Sequence, residues 1–375
     1  MISDTKKKID VINGLRGYAI LAIIYHHLWV VYKFVQPTNY PFTIGNIILF
    51  PFTFLSNGWL GVNLFFTLSG FVLFLPYVLE TRSFNDRKDF FSFYKKRAKR
   101  LLPLYYLSVL FFMIYLVKED KIIHLLSYAF LMFTATFNFT KISFFPKYNQ
   151  VLWAFGVIFW FSIIFPFLVV AYSKISIVWI FICSVLVSFI VRVIGVHYSF
   201  FDIGNPYVNV LKDSLLGRLD DFVLGMLICY LYYESGEKIN KFISPQFYFF
   251  ISIVFIGISC LFYDYVRLGI LPKLFLPVIN NVLHVGFLFL ILSLLYMKDG
   301  LIKSLFNNKP IQLIGMVSYS LFIWHWMAIS PVIGKNFDLP HLAIYLALVF
   351  MISLLTYRYI ESGETSSTRT LFLIK

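Results

Sequence analysis

Apolar residues run along this chain in long blocks. Blocks of about 20 residues recur from end to end, the length a helix needs to cross a hydrocarbon core of roughly 30 Å. They predict membrane-spanning helices at 14–35, 58–80, 101–117, 150–172, 176–194, 213–233, 246–266, 277–297, 311–333 and 340–360. One further apolar stretch, "IIHLLSYAFLMFTATFNFT" at 122–140, either spans as well or is re-entrant or interfacial. The expected fold class is all-α, a polytopic membrane protein.

Composition strengthens that reading. Sixty per cent of residues are apolar and only 13% are charged, more apolar surface than a soluble core absorbs. The leading "MISDTKKK" is too polar for a signal peptide, so the first helix is expected to stay. Cys183, Cys229 and Cys260 stand alone in apolar segments, with no ligand spacing and no pairing pattern, so no metal site is expected.

The net charge of +14 would suit nucleic acid, but in a membrane protein the placement of Lys and Arg matters more than their sum. Lys6, Lys7 and Lys8 precede the first span, and the 81–100 loop carries eight Lys and Arg residues, whereas 36–57 carries none past its first helix. The N-terminus and the 81–100 loop are therefore expected in the cytoplasm. Leaving 122–140 out of the count also puts Lys238, Lys241, Lys298, Lys303, Lys309 and the tail 361–375 inside. That gives about ten spans, both ends cytoplasmic, in a single membrane domain 1–375, with no nucleic-acid partner.

Against that background, polar residues inside the blocks stand out. In "GLRGYAILAIIYHHLWVVYKFV" (14–35), Arg16 and His27 are eleven residues apart. At about 100° per residue they share a face, three turns and roughly 16 Å apart, while His26 is rotated by about 80°. The expectation is a polar stripe from a cytoplasmic Arg16 to a His27 near the midplane. Ionisable groups at such depth usually face a cavity or a partner. A neutral imidazole can take a proton from a hydroxyl attacking a carbonyl, and an Arg can hold phosphate or carboxylate. In "FYKKRAKRLLPLYY", Arg97 and Arg100 share one helix face with Lys99 beside them, a cluster suited to a cytosolic polyphosphate. Ser69 with Gly70 in the second span, and Ser318 and His325 in the ninth, are candidate cavity-lining positions. An ordinary membrane anchor explains the basic cluster equally well, as aromatic packing does His325.

Several segments then resemble, in order, the acyltransferase-3 family of integral membrane O-acyltransferases. They are Arg16 with His27; Gly61-Val62-Asn63-Leu64-Phe65-Phe66 through Ser69-Gly70-Phe71; Arg97-Ala98-Lys99-Arg100 with Pro103 and Tyr105; Gly217-Arg218 with Phe222 and Gly225; Ser318-Tyr319-Ser320 through Trp324-His325; and Tyr357-Arg358-Tyr359-Ile360-Glu361. The resemblance implies ten helices, and transfer of an acyl group, commonly acetyl from acetyl-CoA. The acceptor would be a hydroxyl of a bacterial cell-surface glycan, lipopolysaccharide or lipid-linked intermediate at the cytoplasmic (inner) membrane. It implies His27 as base or acyl relay supported by Arg16, coenzyme A at Arg97, Lys99 and Arg100, and Arg218 lining the cavity. Acetyl-CoA would be a substrate, with no cofactor permanently bound.

Three positions depart from the family's pattern. Asn63 replaces an Asp, Ile158 stands where the family carries a Glu, and Trp160 where it carries a Gln. Loss of an acid that orients the histidine would slow a general-base step about 10²-fold or more. Asp220 or Asp221 are candidate replacements. The alternative is a non-catalytic membrane protein on the same scaffold, binding or moving a glycan or lipid-linked intermediate. An ion-coupled transporter ranks last, because few acids lie within the spans.

Overall fold

The structure, a computed structural model, describes residues 2–32, 42–44, 47–49, 53–119, 122–141, 143–146, 149–198, 202–203, 205–234, 244–329 and 338–362. In chain order the helices are α1 (Ile2–Tyr32), α2 (Thr53–Ser56), α3 (Leu60–Val78), α4 (Arg87–Glu119), α5 (Ile122–Phe133), α6 (Leu152–Tyr172), α7 (Ile177–His197), α8 (Leu219–Glu234), α9 (Pro245–Arg267), α10 (Leu276–Tyr296), α11 (Leu301–Phe306), α12 (Lys309–Met316), α13 (Ser318–Ala328) and α14 (Leu339–Thr356). Two short antiparallel hairpins, β1 (Phe42–Ile44) with β2 (Ile47–Leu49) and β3 (Asp202–Ile203) with β4 (Asn205–Asn209), three 3-10 turns (Phe137–Phe139, Leu216–Arg218, Lys273–Phe275) and a π turn (Tyr357–Glu361) complete the described elements. The protein is all-α and polytopic, as its blocks require.

Among the described residues, seven helices are long and apolar enough to cross a membrane, or eight if Leu301–Met316 and Ser318–Ala328 form one broken span. Two of the ten expected spans fall short of that standard for identifiable reasons. Helix α4 is basic through its first half and apolar only from Leu101 onward, and α8 has 16 residues and carries Asp220 and Asp221 in its first turn. The ambiguous 122–140 stretch gives the twelve-residue α5, about 18 Å long and too short to cross alone. The tail 361–375 lies outside the described residues after Ser362.

Local chemistry sets the helix ends. Ser176 and Ser244 accept backbone N–H bonds from Val178 and Phe247, and Asp338 accepts from the His341 N–H at 2.9 Å. Pro245 and Pro340 occupy first-turn positions where no backbone donor is needed.

The chain divides into two compact units, residues 1–84 with 164–316 and residues 85–163 with 317–375. In the first unit, α3 and α8 run side by side with their numbering rising together: Asn63 reaches Asp221, Phe66 stacks on Phe222, and a Cβ on Gly225 would lie 1.8 Å from the Thr67 carbonyl oxygen. Gly70 meets the Phe222 carbonyl equally closely, so this seam is backbone against backbone. Helix α1 is seated on α12 the same way: a Cβ on Gly17 would lie 2.3 Å from the Ile311 oxygen, and one on Gly315 1.8 Å from the Asn13 oxygen.

The second unit is tied by neutral side chains donating to backbone carbonyls. Tyr105 Oη donates to Met132 O (2.6 Å), Tyr319 Oη to Leu101 O (2.7 Å), Asn149 Nδ2 to Ile323 O (3.0 Å) and Tyr94 Oη to Ile163 O (2.8 Å). Ser320 Oγ donates to Glu361 Oε2 at 3.1 Å, which joins the last two sequence motifs directly.

Candidate functional site

In the first unit, α1 carries Arg16 and His27 on one face, both half-buried. Among the described residues its apolar segment runs Asp10–Val31, and residues 33–35 of the expected first span lie outside them. His26 is fixed differently. Its Nδ1–H donates to the Ser56 carbonyl at 3.1 Å and its ring stacks on Trp29, which turns it into the junction between α1 and α2. Ser69, one residue before the close contact at Gly70, is half-buried on α3.

The larger finding is a buried polar network on α3, α7, α8 and α10. Asp220 and Asp221 are 0% exposed, Arg192 1%, Asn63 1%, His284 4% and Arg218 6%. Asp220 pairs with Arg192, whose Nη2 also donates to Asn281 Oδ1 at 3.1 Å. Arg218 donates to Asp213 Oδ1 at 2.5 Å and to Asn280 Oδ1 at 3.2 Å, and lies 3.7 Å from Asp221. Asp213 also pairs with Lys212 at 3.0 Å. His284 Nε2–H donates to Asp221 Oδ1 at 2.7 Å. Asn63 Nδ2 lies 3.1 Å from each Asp221 oxygen and 2.7 Å from Asn280 Oδ1.

The network explains one departure and answers a question raised by another. An Asp at position 63 would set a second carboxylate against Asp221 in a buried site, whereas the Asn amide donates to it. The carboxylates of Asp220 and Asp221, candidates to replace the missing acid for His27, are taken up by Arg192 and His284 instead. Donor atoms of Asp220, Asp221 and His284 lie within 4.8 Å of one another, but both carboxylates are already bonded to guanidinium, amide or imidazole groups, so the set fits an ion-pair network better than a cation site.

In the second unit, Arg97 is half-buried on α4, with Nε and Nη2 donating to Ser162 Oγ at 3.2 and 3.0 Å. That hydroxyl in turn donates to Ile158 O at 2.8 Å, so the residue in the acid's place contributes its backbone. Trp160 Nε1–H donates to Ala135 O at 2.9 Å, where the chain turns through a positive φ of 53° after α5. Lys99 and Arg100 are exposed. Ser318 and His325 are fully buried, and His325 Nδ1–H donates to Leu321 O at 3.0 Å within its own helix.

Sequence reasoning passed over Arg192, Asn280 and His284. Their signal was present, as lone polar residues within apolar blocks, but their partners lie 28 to 63 or more residues away.

The comparisons point one way. A family model described as an acyltransferase domain matches residues 9–358. O-acetyltransferase OatA of Staphylococcus aureus, from strains NCTC 8325 / PS 47 and COL, is 24% identical over 379 residues, covering 94% of this chain and 56% of the relative. The chain thus spans little more than half the length of these curated relatives. No solved structure gives a significant match. Six motifs in order, a helical membrane fold and a match across nearly the whole length place the chain in the acyltransferase-3 family.

Proposed function

We propose that the protein is a membrane O-acetyltransferase that moves an acetyl group from acetyl-CoA to a hydroxyl of a bacterial cell-surface glycan, such as lipopolysaccharide O-antigen or exopolysaccharide, at the inner membrane. The observation that carries this reading is that Arg16 and His27 share one face of α1 in the spacing that the family's first helix carries. His26 points elsewhere and donates to the Ser56 carbonyl. Arg97, propped by Ser162 next to exposed Lys99 and Arg100, supports a polyphosphate donor. His27 is then the base or acyl relay, and Arg16 supports it.

Acetyl-CoA hydrolysis and label transfer to crude surface glycan, by the full chain in nanodiscs, test the reading. Transfer that vanishes in His27→Ala and largely survives in His26→Ala is the expected result. Full activity in His27→Ala overturns the mechanism. The presence of Ile158 favours one other reading, a non-catalytic glycan-binding protein on the same scaffold, for which wild type would bind glycan and release no coenzyme A.

A further inference from the structure

The buried network leaves hydrogen-bonding capacity unspent. Arg192 Nε, Arg218 Nε and Asn63 Oδ1 are buried with no hydrogen-bond partner, and their residues are 1%, 6% and 1% exposed. An unmade bond of this kind is costly in a buried site. Two orphaned donors and an acceptor, all on residues bonded to Asp220, Asp221 or Asn280, mark a place that a polar ligand would complete.

Within this set His284 is held as a base would be. Its Nε2–H goes to Asp221 at 2.7 Å. Asn280 Nδ2 lies 3.1 Å from the same nitrogen, but the nearer, charged Asp221 sets the tautomer. The lone pair is then on Nδ1, which lies 3.8 Å from Asp220 Oδ2, outside hydrogen-bond reach. A carboxylate fixing one imidazole nitrogen so that the other can take a proton is the arrangement general bases use on many folds.

We propose that His284, oriented by Asp221, accepts the proton of the acceptor hydroxyl during acyl transfer, and that the surrounding network binds that hydroxyl-bearing ligand. The proposal rests on the acyltransferase reading above. The acyl group first moves to the His27 imidazole, the acyl–nitrogen bond forming as the acyl–sulfur bond breaks and the thiolate departs. The acceptor oxygen then bonds to the acyl carbon as the acyl–nitrogen bond breaks. The hydroxyl proton passes to His284 Nδ1 and from there to the thiolate, which leaves as thiol. His27 is the acyl relay, and Asp221 acts as a positioning residue.

The test compares wild type, His284→Gln and Asp221→Asn, full length in nanodiscs, for acetyl-CoA binding and label transfer to crude surface glycan. Transfer is expected to fall about 10²-fold or more in both variants with donor binding unchanged. An active wild type with His284→Gln transferring within about threefold of it overturns the proposal but not the reaction. A wild type that neither hydrolyses nor transfers from acetyl-CoA overturns the acyltransferase reading, and this assignment with it. Nitrogen-15 histidine NMR on unsubstituted protein, which depends on no variant's folding, should show His284 as the Nε2–H tautomer, and an Nδ1–H tautomer would overturn the assignment.

Discussion

The two units are held together by different chemistry. Among the described residues the first buries four carboxylates, two guanidiniums and an imidazole, and the second fastens its helices with tyrosine and asparagine side chains on backbone carbonyls while Lys99 and Arg100 stand exposed. Neutral tethers make a sound frame at low cost. Buried charge is an expensive way to build one, because apolar residues of similar volume hold helices at least as well.

Removing one member of a buried pair should have the largest effect on that contrast. Asp220→Asn leaves Arg192 uncompensated and is expected to cost about 3–5 kcal/mol in thermal unfolding in nanodiscs, whereas Arg192→Met with Asp220→Leu restores most of it. If the single change proves mild, the network is not the stability liability described. Next, Gly70→Leu drives a side chain into the Phe222 carbonyl and should cost about 1–3 kcal/mol or more, a loss that leaves the second unit's tethers untouched. In the second unit, Arg97→Ala with Arg100→Ala should raise the acetyl-CoA dissociation constant about tenfold, or 1.4 kcal/mol, by equilibrium binding, with little change in unfolding temperature. Tyr319→Phe should be the mildest, near 1 kcal/mol in stability, because only one neutral bond to Leu101 is lost.

Much of the fold was legible because a bilayer imposes a length. All ten apolar blocks correspond to helices, and the two weak ones, α4 and α8, are those whose charged ends the sequence also displays. Residues 33–35 of the first block lie outside the described residues, so the far end of that span is read from composition alone. Arg218 and Asp220 were picked out by a motif. Their partners Arg192 and His284 were not, since pairing across 28 and 63 residues depends on which helices are neighbours, and no periodicity within one helix reports that. The roles of Ile158 and Trp160 were equally hidden, because Ile158 accepts through its own carbonyl and the Trp160 indole reaches a carbonyl 25 residues away.

The seating of α1 on α12 has a mechanical consequence. Where Gly17 and Gly315 bring main chain against main chain, the helix has no clearance in which to slide or rotate. Such a joint works as an indexing stop, which sets the depth and heading of everything the helix carries. Arg16 and His27 are then aimed by residues with no reactive chemistry of their own. One methyl group at position 315, far along the chain from either, would misalign the tool without touching its edge.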